Sequence, residues 1–304
     1  MGPQRRMAVF DAKFRQHCEA LSRVAQRQWG RRLLGRRREL TLTGGTEATE
    51  VVDYNTGDDF RYVDWNRCAR LDELVSKQFH GDENSRVNIL LDCSGSMDVG
   101  QPTKFEAARR IAAALAYLAL DNLDSVGITL FSDRIIGELR PVRGRKRIPQ
   151  ALRFLEDQES CEGKTDLRGS VEQFVRMQKG KCLAVLVSDF MDMDGFRPAM
   201  NRLRIGRHEP YLVQVLDRKE ADPSCLGGTK FIDAETGEVR RDLIEPADLE
   251  AYREVFEEYI DSVRSYCAGR GIRRVQTFSD VDYRECAQRM IRVARASRAG
   301  GAGQ

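Results

Sequence analysis

Asp92, Ser94 and Ser96 stand at alternate positions in the run Val87-Asn88-Ile89-Leu90-Leu91-Asp92-Cys93-Ser94-Gly95-Ser96-Met97. One carboxylate and two hydroxyls at this spacing put small, hard oxygen donors on a single short loop. Such donors suit Mg²⁺, which takes octahedral oxygen ligands and keeps waters where the protein supplies too few. The spacing alone is a common one, because Asp and Ser are also ordinary turn and helix-capping residues. Two later stretches add to it. Gly163-Lys164-Thr165-Asp166 separates two helical segments, and Leu183-Ala184-Val185-Leu186-Val187-Ser188-Asp189 is a second apolar run that ends in a carboxylate.

Positioning these groups requires strands that stop where the chemistry starts. Ile89 to Leu91 and Leu183 to Val187 read as buried strands, and the helical pattern from Lys104 onward is the element the first strand feeds. In a parallel sheet covered by helices, the loops at the carboxyl ends of the strands gather where ligands bind. Asp92, Ser94, Ser96, Thr165 and Asp189 are thereby expected to meet at one point. In type and order they resemble the metal-ion-dependent adhesion site of von Willebrand factor A domains. The resemblance implies that the two serines and the threonine touch a divalent cation, Mg²⁺ or Mn²⁺. It also implies that the aspartates act through water and that a partner's Asp or Glu carboxylate fills the open position.

The pattern downstream is that of an α/β chain. Phe105, Ala108, Ile111, Ala112, Leu115 and Leu118 repeat at helical spacing over about Thr103–Leu120. Val126–Phe131 reads as a strand, Ile135–Leu139 as an antiparallel edge strand, and Ile148–Asp157 and Leu167–Met177 as helices. A helix from Phe196, a strand at Tyr211–Asp217 and a hairpin turning at Thr236-Gly237 follow. Helix Pro246–Ala268, strand Val275–Phe278 and helix Tyr283–Val293 close the chain. The expected fold is a von Willebrand factor A-like, doubly wound, mostly parallel sheet with one antiparallel edge strand, preceded by a helical and extended pre-domain.

Bulk properties narrow the function classes. The chain has 304 residues, 50 Lys and Arg against 47 Asp and Glu, and a net charge of +3, so bulk attraction to a polyanion is excluded. No apolar run approaches the ~20 residues of a membrane helix, and no signal peptide is visible. The eight cysteines form no Cys-x-x-Cys pair and the histidines are only His17, His80 and His208, so zinc-ligand spacing is absent. Scattered cysteines without an export signal read as reduced thiols of a cytoplasmic protein.

Charge is nonetheless uneven. Residues 1–40 hold eleven Arg and Lys against three Asp and Glu, which is +8, and the remainder of the chain is −5. Phe10, Phe14, Leu21 and Val24 recur at helical spacing there, so an amphipathic helix docked on the core is the favoured reading. Arg31, Arg32, Arg36, Arg37 and Arg38 offer the alternative of an acidic partner or nucleic acid, although no interleaved aromatics support single-strand binding. The basic run Arg143–Arg147 is a solvated loop or a weak anion site.

Upstream of the first strand stands Gly57-Asp58-Asp59-Phe60-Arg61-Tyr62-Val63-Asp64-Trp65-Asn66-Arg67-Cys68-Ala69-Arg70. This run, just ahead of the adhesion-site strand, resembles a bacterial family known as domain of unknown function fifty-eight. That family is von Willebrand factor A-like and commonly paired with MoxR-type AAA+ ATPases. The resemblance covers about residues 40–190 and implies a partner of that ATPase type, or a client it remodels, with this chain as adaptor. Asp58, Asp59, Arg61, Asp64, Trp65 and Arg70 form either an internal salt-bridge and turn network or a partner-docking patch. The expected organisation is an arm at 1–40, a family-specific pre-domain at 41–84, the α/β domain at 85–296 with a hairpin insert at about 218–243, and a flexible tail at 297–304.

A catalytic role fits less well. Haloacid-dehalogenase-like phosphatases use a strand-end Asp as nucleophile and a second Asp two positions on, where this chain has Ser94. Cys93 has no histidine placed by sequence as its base, and Ser94-Gly95-Ser96 lacks the leading glycine of a nucleophile elbow. The expectation is a metal-dependent protein-binding module and no enzyme.

Overall fold

The computed structural model of the chain describes residues 10–29, 48–53, 68, 70, 75–79, 86–160, 163–223, 227–232 and 239–299. The chain divides into two units, residues 35–85 and the remainder. Within the smaller unit, β1 (Ala48–Asp53) pairs antiparallel with β2 (Val75–Phe79).

The larger unit is built on a six-stranded sheet. Its strands are β3 (Arg86–Asp92), β4 (Ser125–Phe131), β5 (Ile135–Arg143), β6 (Leu183–Ser188), β7 (Glu209–Leu216) and β10 (Arg273–Phe278), in the order β10-β7-β6-β3-β4-β5. All neighbours are parallel except β4 and β5. This is the doubly wound sheet with one antiparallel edge that the apolar runs imply. The edge strand is longer than expected, reaching Arg143 instead of Leu139. Pro141 lies within it, which an edge tolerates because its outer side needs no backbone donor. Between β7 and β10, β8 (Gly227–Ile232) and β9 (Val239–Ile244) form a separate antiparallel hairpin whose turn lies outside the described residues.

Strand residues alternate between two cores. Ile89, Leu91, Val185, Val187, Val213 and Val215 face one, and Leu90, Ala184, Leu186 and Leu212 face the other. The first is covered by α1 (Ala12–Trp29), α2 (Lys104–Asp121), α3 (Ile148–Glu156) and α8 (Tyr283–Ala299). The second is covered by α4 (Leu167–Met177), α5 (Met193–Ile205) and α7 (Pro246–Gly269). A short helix, α6 (Arg218–Ala221), follows β7. Helix α8 continues to Ala299, so the expected tail loses its first three residues to a helix.

Helix α2 is more deeply buried than its own pattern predicts. Beyond the expected stripe, Ala113, Ala114, Ala116, Tyr117, Ala119 and Leu120 are also buried. The reason is α1, which packs on the outer side of α2 and against α8. Asp11 starts α1 by accepting the Phe14 amide at 2.8 Å. Phe10, Phe14, Cys18, Leu21 and Ala25 are its buried stripe, while Val24 is 42% exposed. The expected stripe therefore holds except at Val24, which lies one position short of the Leu21–Ala25 repeat. Ser22, also buried, donates to Asp121 Oδ2 at 2.5 Å, and His17 lies 3.2 Å from the Tyr283 hydroxyl. Arg31, Arg32, Arg36, Arg37 and Arg38 lie outside the described residues.

The packing of α1 is open to test. Phe14 is 4% exposed and its ring lies against those of Phe10 and Tyr283. Phe14→Ala is expected to cost about 3 kcal/mol, read as a lower urea midpoint with an unchanged slope. An unchanged midpoint would mean that α1 contributes nothing to the core it touches.

Candidate metal centre

Strands β3 and β6 are parallel neighbours, with Leu91 paired to Val187, so their carboxyl ends deliver Asp92 and Ser188-Asp189 side by side. Asp92 is fully buried and is held from three directions. The Ser94 hydroxyl and amide donate to Asp92 Oδ1 at 2.7 and 3.0 Å, and the Ser188 hydroxyl donates to Oδ2 at 2.6 Å. Ser94 and Ser96 hydroxyl oxygens lie 3.1 Å apart.

Hydrogen bonds draw the other loops in. The Gly95 amide donates to the Gly163 carbonyl at 3.2 Å, bringing the segment that carries Thr165 against the serine loop. The same segment is tied to the Asp189 loop, because the Leu167 amide donates to Asp192 Oδ2 at 3.0 Å. It is tied to the end of β4 as well, through the Asp166 amide and the Ser132 carbonyl at 3.0 Å. Thr165 itself is half-buried. Asp192 also caps α5, accepting the Gly195 amide at 2.8 Å, so this helix starts at Met193, three residues before the expected Phe196. Its carboxylate is thus engaged by backbone donors, while Asp194 is exposed.

Sequence reasoning missed the partner of Asp189. Lys104, the first residue of α2, is 0% exposed. Its ammonium donates to Asp189 Oδ2 at 2.7 Å and to Glu220 Oε1 and Oε2 at 2.6 and 2.8 Å. Burial pulls this ammonium down, but Asp189 and Glu220 more than offset that, so it stays charged. Asp189 Oδ1 accepts the Met191 amide at 3.1 Å, and the Asp189 carbonyl accepts from Gln214 at 2.9 Å. Two signals in the sequence pointed here. A lysine at a helix start is opposed by the helix dipole, and Lys104 directly precedes the apolar stripe that begins at Phe105.

The loop from Ser96 to α2 bends sharply. Gly100 has φ +100°, and a Cβ there would lie 2.4 Å from Asp217 Oδ2. Asp217 in turn accepts from Ser279 at 3.0 Å and from the Lys219 amide at 2.9 Å. The ends of β3, β6, β7 and β10 are in this way connected through side chains.

The donor set fits a small hard cation. Ligands at about 2.1 Å in an octahedron place neighbouring oxygens about 3 Å apart, and Ser94 and Ser96 have that separation. Among the described residues, no three His, Cys, Asp or Glu side chains gather as a metal cluster. The candidate centre is instead one of hydroxyls and carboxylates.

Elsewhere the expected functional positions behave differently. Asp58, Asp59, Arg61, Asp64 and Trp65 lie outside the described residues, and Arg70 is exposed. In the basic run, Arg143 donates to the Leu123 carbonyl at 2.8 Å and Arg145 pairs with Asp121 at 2.6 Å, so two of its cations are engaged by the chain's own oxygens. Cys93 is buried with its sulfur 3.6 Å from the Leu91 carbonyl. One Cys–His contact does form, Cys182 Sγ to His208 Nδ1 at 3.1 Å, just before the starts of β6 and β7 and so at the opposite edge of the sheet. Burial pushes that thiol up to about 11 and the imidazole down, the reverse of an activated nucleophile.

A family model described as Protein of unknown function DUF58 matches residues 50–265. The chain belongs to that family. The match agrees with the resemblance carried by the Asp58–Arg70 run and the strand ending at Asp92, and it extends beyond position 190, to Leu249–Val263 in α7. Among similar proteins are uncharacterized proteins of Mycobacterium bovis (Mb1516) and Mycobacterium tuberculosis (Rv1480). Each is 27% identical over 208 residues, which is 67% of this chain and 65% of theirs. The chain thus matches just under two thirds of their length. Solved structures of similar shape include an aerotolerance-related membrane protein from Bacteroides fragilis, 18% identical, TM-score 0.45, covering 70% of this chain and 99% of that one. Another is the conserved hypothetical protein BatB from Bacteroides thetaiotaomicron, 16% identical, TM-score 0.40, covering 69% and 99%. Among the described residues of this DUF58 chain, no helix is long and apolar enough to cross a membrane.

Asp92 links the centre to pH. Burial, and then the nearby charge of Asp189, raise its carboxyl to about 7 against the bonds from Ser188 and Ser94. Because the folded value lies above the unfolded one, the folded state binds this proton more tightly. That stabilisation is complete below about pH 4, declines as the pH rises, and is gone above about 7. A divalent cation held at this centre would compete with the same proton. In chelator the melting temperature is expected to fall between about pH 5 and 7.5, less so in Asp92→Asn, and Mg²⁺ should raise it more at about pH 8 than at pH 6. Equal Mg²⁺ shifts at both pH values would contradict this assignment.

Proposed function

We propose that this protein is a metal-ion-dependent protein-binding module that works as an adaptor and has no catalytic role. The observation that carries the reading is the pair of hydroxyls, Ser94 and Ser96, 3.1 Å apart beside the buried Asp92, on a loop whose Gly95 amide donates to the Gly163 carbonyl of the segment that carries Thr165. Ser94, Ser96 and Thr165 would hold Mg²⁺ or Mn²⁺, with Asp92 and Asp189 acting through water. When bound, the cation supplies Lewis-acid attraction for an external carboxylate. The chain's own residues orient the hydroxyls, bury Asp92 and set the charge around the site. The partner presents an Asp or Glu side chain, and by family resemblance it is a MoxR-type AAA+ ATPase or a client of that ATPase. Cys18, Cys182, Cys267 and Cys286 are unbridged thiols, which supports a reducing, cytoplasmic setting.

A recombinant MoxR-type ATPase should be retained by the immobilised full chain in Mg²⁺ and released by chelator. Ser94→Ala combined with Ser96→Ala should reduce retention at least tenfold while leaving the melting temperature in chelator within a few degrees. Retention that persists in chelator would remove the metal from the interaction.

A further inference from the structure

We infer that Lys104 is a built-in counter-charge for the candidate centre: it holds Asp189 out of direct contact with a bound cation and leaves that cation short of negative charge. This rests on the metal reading above and names what tunes it.

The geometry is specific. An ammonium has three donors, and the hydrogen bonds of the Lys104 ammonium go to two carboxylates, Asp189 and Glu220. The side chain is 0% exposed. Removing a cation from water is unfavourable unless its partners are well placed, and its site at the start of α2 adds the opposition of the helix dipole. Glu220 is fixed by a second task, since its carboxylate accepts the Asp217 amide at 3.3 Å as part of the cap of α6. Lys104 is therefore anchored between two elements that do not carry the hydroxyl ligands.

The consequence falls on Asp189. Its Oδ2 accepts from Lys104 and its Oδ1 from the Met191 amide, so each oxygen already has one donor and the plane of the carboxylate is set. Each oxygen keeps a lone pair for a bridging water. Turning Asp189 to ligate a metal directly would break the Lys104 bond and leave the buried ammonium to Glu220 alone. The ammonium also offsets the charge that Asp189 and Glu220 would otherwise direct at the cation. Metal affinity is lowered in exchange for a stronger pull on an incoming carboxylate.

Calorimetric titration of Mg²⁺ into the full chain tests this. Lys104→Met should bind Mg²⁺ about tenfold more tightly than wild type, or better, because a nearby positive charge is gone. A purely structural lysine predicts the opposite sign, since its loss would loosen the site. Equal or weaker Mg²⁺ binding by a cooperatively melting Lys104→Met overturns the inference and leaves the metal reading standing. Failure of wild type to bind Mg²⁺ overturns that reading and this inference with it. A crystal structure of wild type with Mn²⁺ decides the matter if Lys104→Met does not fold. Lys104 on Asp189, with a water between Asp189 and the metal, supports the inference; direct Asp189–Mn²⁺ coordination overturns it.

Discussion

Two buried carboxylates at the ends of adjacent parallel strands are the constraint around which this fold is arranged. Asp92 and Asp189 repel one another, and burial penalises the charge of each. The protein answers with different means on the two sides. Asp92 receives hydroxyls and an amide, which are neutral donors, and Asp189 receives a full positive charge from Lys104. The asymmetry leaves one end of the pair rich in neutral oxygen, where a hard cation would be well served, and the other end with two carboxylates, Asp189 and Glu220, partly offset by one ammonium.

Holding that arrangement requires the surrounding elements to be stiff. Asp92 and Lys104 are set by β3 and by the first turn of α2, and α2 is buried along most of its length, with the sheet beneath it and α1, α3 and α8 around it. A helix so rich in alanine lets its neighbours approach closely, and the amino-terminal helix supplies part of that cover. The opposite core performs the same service for the Asp189 loop. Phe190 is buried against Phe196, and its carbonyl accepts the Tyr259 hydroxyl of α7. Each half of the candidate centre is thus backed by its own hydrophobic cluster, with the sheet between them.

Polar groups that take part in this balance come from stretches with no chemical motif. Ser188 precedes a strand-end aspartate and looks like an ordinary turn residue, yet it donates to Asp92 across the strand pair. Glu220 sits in a four-residue helix after β7 and serves both the helix cap and Lys104. Asp217 fills the space that Gly100 leaves open. Each of these is defined by a residue more than ninety positions away, with the exact separation set by the crossover connections between strands.

The local pattern of the chain determined its elements. Apolar runs of strand length alternate with amphipathic helical stretches, a periodicity that depends only on neighbouring residues, so the α/β class and the antiparallel edge were legible without coordinates, and the resemblance of the Gly57–Arg70 run pointed to the family. The loop of Asp92, Ser94 and Ser96 was legible for the same reason: its donors are two residues apart. What tertiary structure alone decided was which distant groups complete the site and which helix faces are buried. The expected tail gave up residues 297–299 to α8, Val24 turned out of the stripe of α1, and α2 was covered on its outer side because a helix from another part of the chain lies there. Lys104 carried a faint signal, a charge beside an apolar stripe, but its partners could not be read from spacing. The energy that holds a buried ammonium comes from carboxylates 85 and 116 residues away, and only the folded sheet brings them within reach.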